Sequence, residues 1–133
     1  MSDTQQPPDA LGATINIGTT VHFLAAQSNP DERRYVFAYT INIHNAGTAA
    51  AQLLTRHWLI TDADGRLQEV HGDGVIGEQP SIAPGQTHTY SSGTVIETPV
   101  GTMEGSYGMV SETGTPFDAP IPVFRLAVPG VLN

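Results

Sequence analysis

Between residues 34 and 44 the chain alternates without a break. Tyr35, Phe37, Tyr39, Ile41 and Ile43 fall on one side, and Val36, Ala38, Thr40, Asn42 and His44 on the other. Successive side chains of an extended chain point in opposite directions, so five large apolar or aromatic residues at period two make a strand with one buried face. Most of the remaining chain shows the same period, and very little repeats at 3.6 residues. A helical core is therefore excluded, and the segments must find their partners as strands.

Ile15, Ile17, Val21, Phe23 and Ala25 mark an opening strand, with a break expected at Gly18. Leu54, Arg56, Trp58 and Ile60 share one face of a third strand, and Leu53, Thr55, His57, Leu59 and Thr61 the other. Asp62-Ala63-Asp64-Gly65 reads as a hairpin turn into a short return strand over Leu67 to Val70. Ile82 followed by Pro84-Gly85 reads as an apolar plug and a turn before a strand from Thr87 to Ser92. Met103, Tyr107 and Met109 alternate in a late strand. Ile121 to Leu126 forms the last one, placed at a sheet edge because Pro120 and Pro122 cannot donate to a ladder. The expected fold is all-β: a fibronectin type III or immunoglobulin-like β-sandwich of seven or eight antiparallel strands. The expected organisation is a flexible leader over residues 1–12, one domain over 13–129 and a loose tail over 130–133.

A length of 133 residues suits one such domain. With no cysteine, neither a disulfide framework nor a thiolate zinc site is available. The five cations are all arginine against thirteen acids, a net charge of −8. Nucleic-acid binding needs clustered Lys and Arg, so it is not expected. The opening residues carry no basic and apolar leader and no apolar run approaches a membrane span, so the expected location is the cytoplasm.

Gly72-Asp73-Gly74-Val75-Ile76-Gly77 matches G-x-G-x-x-G. In dinucleotide folds that motif joins a strand to a helix whose N-terminus faces the pyrophosphate. Here Pro80, Pro84 and Gly85 follow and exclude the helix, while Asp73 and Glu78 repel phosphate with no lysine to compensate. The expectation is a wide glycine loop joining the two sheets. Nucleotide or pyrophosphate binding through Gly72, Gly74 and Gly77 is the alternative.

The histidines, His22, His44, His57, His71 and His88, contain no H-x-x-x-H, and no carboxylate sits at fixed spacing beside His44 or His57. No built metal site is expected, only a weak, diffuse attraction of divalent cations to the acidic surface. Asp62-x-Asp64-Gly65 lacks the further ligands of a calcium loop. No serine, histidine and acid stand in a catalytic arrangement, and no cofactor is implied. The Gly- and Thr-rich stretch from Gly93 to Gly105 could frame a recognition surface together with the Gly72–Gly77 loop. Gly72, Asp73, Gly74, Gly77, Thr98 and Gly101 are thus the candidate partner-binding residues.

The ordered blocks Tyr35–Thr40, Leu53–Asp62 and Gly72–Pro80 resemble the bacterial ApaG family. So do Pro84-Gly85 with Tyr90-x-Ser92-Gly93, Thr98-Pro-x-Gly101-x-Met-x-Gly105-x-Tyr107, and Ile121-Pro-x-Phe124. The resemblance runs over residues 13–129. It implies a fibronectin-III-like sandwich without established catalytic residues. It also implies a protein-interaction role, because similar eukaryotic domains are attached to F-box proteins and a polymerase-delta-interacting protein. In bacteria the family is associated with cobalt resistance and magnesium efflux, which for this chain implies a soluble accessory with an unknown protein partner.

Overall fold

A computed structural model of the protein describes residues 8–131. Among these residues eight strands form two antiparallel sheets. They are β1 (Ile15–Phe23), β2 (Tyr35–Asn45), β3 (Ala51–Asp62), β4 (Leu67–Asp73), β5 (Ser81–Ile82), β6 (Thr87–Ile96), β7 (Val100–Ser111) and β8 (Pro116–Ala127). One sheet runs β1-β2-β6, and the other β4-β3-β7-β8 with β5 also paired to β3. The sandwich expected from the alternation is the fold observed.

The inner faces follow the sequence pattern closely in β2, where Phe37, Ile41 and Ile43 are wholly buried and Tyr39 nearly so. Each such side chain contributes on the order of 1.5–3 kcal/mol by leaving water. Across the gap Leu53, Trp58, Ile60, Met103, Tyr107 and Met109 complete the core. The Trp58 ring meets Tyr39, Tyr107 and Phe124 edge to face, an arrangement aromatic quadrupoles favour.

Four details depart from the sequence expectation. In β3 the face assignment holds from Arg56 onward and fails before it. Leu53 pairs with Met109 and Thr55 with the adjacent Gly108, so Leu54 is an extra residue. This bulge reverses the parity and turns Leu53, rather than Leu54, into the core. In β1 Gly18 pairs regularly with Asn42 and the strand is unbroken. The segment Gly93–Ile96 continues β6, and Val100–Gly105 begins β7, leaving only residues 97–99 outside strands. Finally, Pro8–Gly12 forms a short helix, α1. It packs on β8, with Leu11 against the core, so this part of the expected leader belongs to the folded unit. The leader's first seven residues lie outside the described ones.

β8 does lie at an edge. Its register moves from Ile121 opposite Gly105 to Phe124 opposite Met103. Pro122 and Val123 therefore face Glu104 as a second bulge, where a missing N–H costs no ladder bond.

Candidate functional site

The Gly72–Gly77 loop does not join the sheets. It leaves β4 and returns through β5 to the same sheet, because both strands pair with β3. Its centre is a two-residue turn. Val75 N–H donates to Glu78 O at 2.8 Å and Glu78 N–H to Val75 O at 3.1 Å. The turn residues Ile76 and Gly77 both have positive φ, 48° and 74°, as the mirror-image turn of a tight hairpin requires. Gly77 adopts this freely, whereas Ile76 is β-branched and takes it only under strain. At Gly74 (φ 64°) a Cβ would run into the Glu78 carbonyl oxygen, so only glycine lets the loop close there.

The loop is tied to β3 at the Leu54 bulge. Gly74 N–H donates to Leu54 O at 2.8 Å, and Gln79 Nε2 donates to the same oxygen at 3.0 Å. Arg56, on the inner face of β3, reaches up and donates from Nη1 to the carbonyls of Asp73 and Gly74, both at 3.0 Å. Gly72 makes this possible, since a Cβ there would stand 2.6 Å from the guanidinium carbon. The bulge and the arginine thus hold the loop as a cap over the mouth of the sandwich.

Beneath the cap lies a hollow of about 300 Å³, lined by Tyr39, Arg56, Trp58, Asp73, Val75, Ile76, Gly77, Tyr90 and Ser92. Tyr90 and Tyr107 join hydroxyl to hydroxyl behind it. Burial raises the Tyr39 hydroxyl above its ordinary value. It pushes Tyr90 up to about 12, and it pushes Tyr107, beside Tyr90 and wholly buried, higher still. At neutral pH these groups keep their protons. The hollow has aromatic walls with Asp73 at its rim; the Tyr90 hydroxyl among them is bonded to Tyr107 and Arg56 Nη1 to the loop carbonyls.

A phosphate cradle of loop amides gains no support, because the amides of Gly74, Val75 and Glu78 are already bonded within the protein and no helix follows.

The six residues proposed from the sequence separate into two groups. Gly72, Asp73, Gly74 and Gly77 belong to the cap. Thr98 and Gly101 lie at the other end of β3, where Gly101 pairs with Asp62, seven residues beyond Thr55, or about 20 Å along the strand. Thr98 is buried. Its Oγ1 accepts from Ala63 N–H at 2.9 Å and donates to Val100 O at 2.8 Å, so it fastens the β6–β7 turn to the Asp62 hairpin. A Cβ on Gly101 would stand 2.7 Å from Thr61 O. Both residues serve the packing of that end.

Sequence reasoning misses the roles of Arg56, Ile76, Tyr90 and Tyr107, and it misses one cluster. His57, Glu69 and His71 come together on the outer face of β3 and β4, so strand pairing supplies beside His57 the carboxylate that no fixed spacing in the sequence offers. A signal for it does exist. Glu69 and His71 are two apart, hence on one face of a strand, and counting outward in equal steps from the turn at Asp64 sets His57 opposite His71, as observed.

Comparison with known proteins agrees with this architecture. The family model described as DUF525: ApaG domain matches residues 25–111. Protein ApaG of Pseudomonas aeruginosa strain PAO1 is 56% identical over 133 residues, covering all of both chains. Protein ApaG of Thiobacillus denitrificans is 61% identical over 119 residues, 90% of this chain and 94% of that one. Among solved structures, one named for the ApaA protein of Bordetella pertussis superimposes with a TM-score of 0.86 at 48% identity, covering 88% of this chain and 95% of that one. The C-terminal domain of wzt, with a TM-score of 0.52 and 13% identity over 90% of this chain and 75% of that one, shares the fold alone. This chain belongs to the ApaG domain family.

Proposed function

We propose that the protein is a non-catalytic interaction module of the cytoplasm that receives a segment of a partner protein in the hollow beneath the Gly72–Gly77 cap. Ile76 carries the reading. A β-branched residue in left-handed backbone costs roughly 1–2 kcal/mol, and Ile76 holds that conformation while remaining 60% exposed. Folding gains little from an apolar side chain left in water, so the strain is best accounted for by presentation of that side chain to a partner. Beneath it the Tyr39, Trp58 and Tyr90 rings wall the hollow, a lining suited to an apolar or aromatic segment.

By the resemblance of the family, the partner would belong to divalent-cation handling, with this protein as a soluble accessory in cobalt resistance and magnesium efflux. Among the described residues no helix is long and apolar enough to cross a membrane.

Ile76→Gly separates presentation from folding. It removes the strain and the side chain together, so the thermal midpoint should hold or rise while capture of the native partner, quantified by cross-linking in cells, falls at least about fivefold. Partner capture unaffected by Ile76→Gly would remove the hollow as the docking site. Cobalt tolerance of a deletion strain complemented with the same variant tests the physiological half of the proposal.

A further inference from the structure

Two imidazoles and a carboxylate meet on the solvent face of the β3–β4 hairpin, on the opposite side of the sheet from the hollow. His57 Nε2 lies 2.7 Å and His71 Nε2 3.2 Å from one and the same oxygen, Oε2 of Glu69. The two rings stack with centroids 4.3 Å apart and planes 21° from parallel. One ligand atom from each of the three residues lies within 4.8 Å of the other two. The arrangement follows from the ladder: His57 and His71 are directly opposed across the hairpin, and Glu69 precedes His71 by two residues on the same face.

The surroundings leave room for a further ligand. Opposite His57 on β7 stands only Ser106, followed by Gly108. These small residues floor a trough of about 540 Å³ that Asp73 and Asp118 also line.

We propose that His57, Glu69 and His71 form a binding site for a divalent transition-metal ion of the Zn²⁺ class, with its open coordination position facing the trough. Two imidazole nitrogens and one carboxylate oxygen are the donors such ions take, at about 2.0–2.2 Å each. Tetrahedral ligands at that length stand about 3.3 Å apart, so the two nitrogen–oxygen spacings of 2.7 and 3.2 Å need to open by about 0.6 Å or less. Glu69 and His71 are exposed enough to make that adjustment, with 53% and 70% of their side-chain surface free. Mg²⁺ prefers an all-oxygen octahedron and does not suit two imidazoles. Among the described residues no other group of three histidines or carboxylates gathers so closely. The ion replaces whatever proton each Nε2 carries, and the imidazoles bind it in neutral form. This site is independent of partner docking beneath the cap.

Titration of the full chain with ZnCl₂ tests it, followed by calorimetry and by imidazole ring signals in ¹H–¹³C spectra. One equivalent should bind, with the rings of His57 and His71 moving together while His22, His44 and His88 stay in place. His71→Ala and Glu69→Gln should each weaken binding by more than about tenfold, since even outer-shell changes at such sites cost 10–100-fold. MgCl₂ at the same concentration should leave the rings unmoved. Glu69→Gln is isosteric and exposed, and its circular dichroism should match the parent, so it decides the matter if His71→Ala fails to fold. Absence of one-equivalent saturation, Zn²⁺ binding that survives Glu69→Gln undiminished, movement of the other histidines instead, or equal binding of Mg²⁺ would each overturn the site.

Discussion

A pair of tyrosines shows how far single residues are set by their surroundings. Tyr107 sits at an inner-face position that the alternation of β7 announces, yet nothing in the local sequence says that its hydroxyl meets that of Tyr90 from the other sheet. Burial raises both hydroxyls, Tyr90 to about 12 and Tyr107 beyond it, against about 10 in an unfolded chain. The unfolded state therefore releases these protons first. Stability is fully present below about pH 10 and falls as pH rises from there towards 12, because the folded state then binds more protons. The expected slope is up to roughly 1.4 kcal/mol per pH unit for each tyrosine. Urea unfolding should give a constant free energy from pH 7 to 9 and a steep decline above 10, shallower in Tyr90→Phe. An unchanged decline in that variant would show that the pair does not control alkaline stability.

At the scale of the element, the period-two reading locates the centres of the strands and most inner faces; it misses the Gly- and Thr-rich ends of β6 and β7, and it fails where a bulge changes the parity. Leu53 and Leu54 are chemically identical neighbours. Which one enters the core is decided by the pairing of β3 with β7 and by the cap bonding to Leu54 O, both remote in sequence. Glycines divide in the same way. Gly105 is held where a Cβ would run into the His57 carbonyl oxygen, so close approach of β3 and β7 requires it. Gly18 in β1 has Asn42 Cβ no nearer than 3.7 Å, an ordinary contact, in an unbroken ladder. Gly105→Ala should thus cost about 2–3 kcal/mol as overpacking against backbone, and Gly18→Ala should be neutral or stabilising by up to about 1 kcal/mol. Differential scanning calorimetry on the two variants would show it, and equal losses would remove the distinction.

For the whole molecule the charge balance acts on stability rather than on fold. A net charge of −8 is spread over a chain only 14% charged, and the arginines neutralise it sparsely. Arg33–Asp64 and Arg66–Glu97 are surface pairs, of a kind that contributes little to stability. Self-repulsion of the remaining acids is screened by salt. Raising NaCl from about 20 to 500 mM should therefore lift the thermal midpoint by a few degrees. A midpoint that falls would mean that the ion pairs outweigh the repulsion. The same acidity, together with the absence of lysine, disfavours a phosphate cradle on charge alone. The hairpin geometry of the Gly72–Gly77 loop supplies a second, independent reason.

From its sequence alone the chain determined that it would be a β-sandwich, where the centres of most strands would lie, that the Phe37, Tyr39, Ile41 and Ile43 face of β2 would be buried and that Asp62–Gly65 would turn. These follow from backbone alternation and turn chemistry, which act within a few residues. Only the tertiary structure decided that Leu54 bulges, that Arg56 holds the loop over an aromatic-walled hollow, and that Thr98 and Gly101 lie at the other end of β3. Each of these depends on the register between strands. That register is set by the packing of the whole core and the closure of each hairpin, and it is not carried by any one segment.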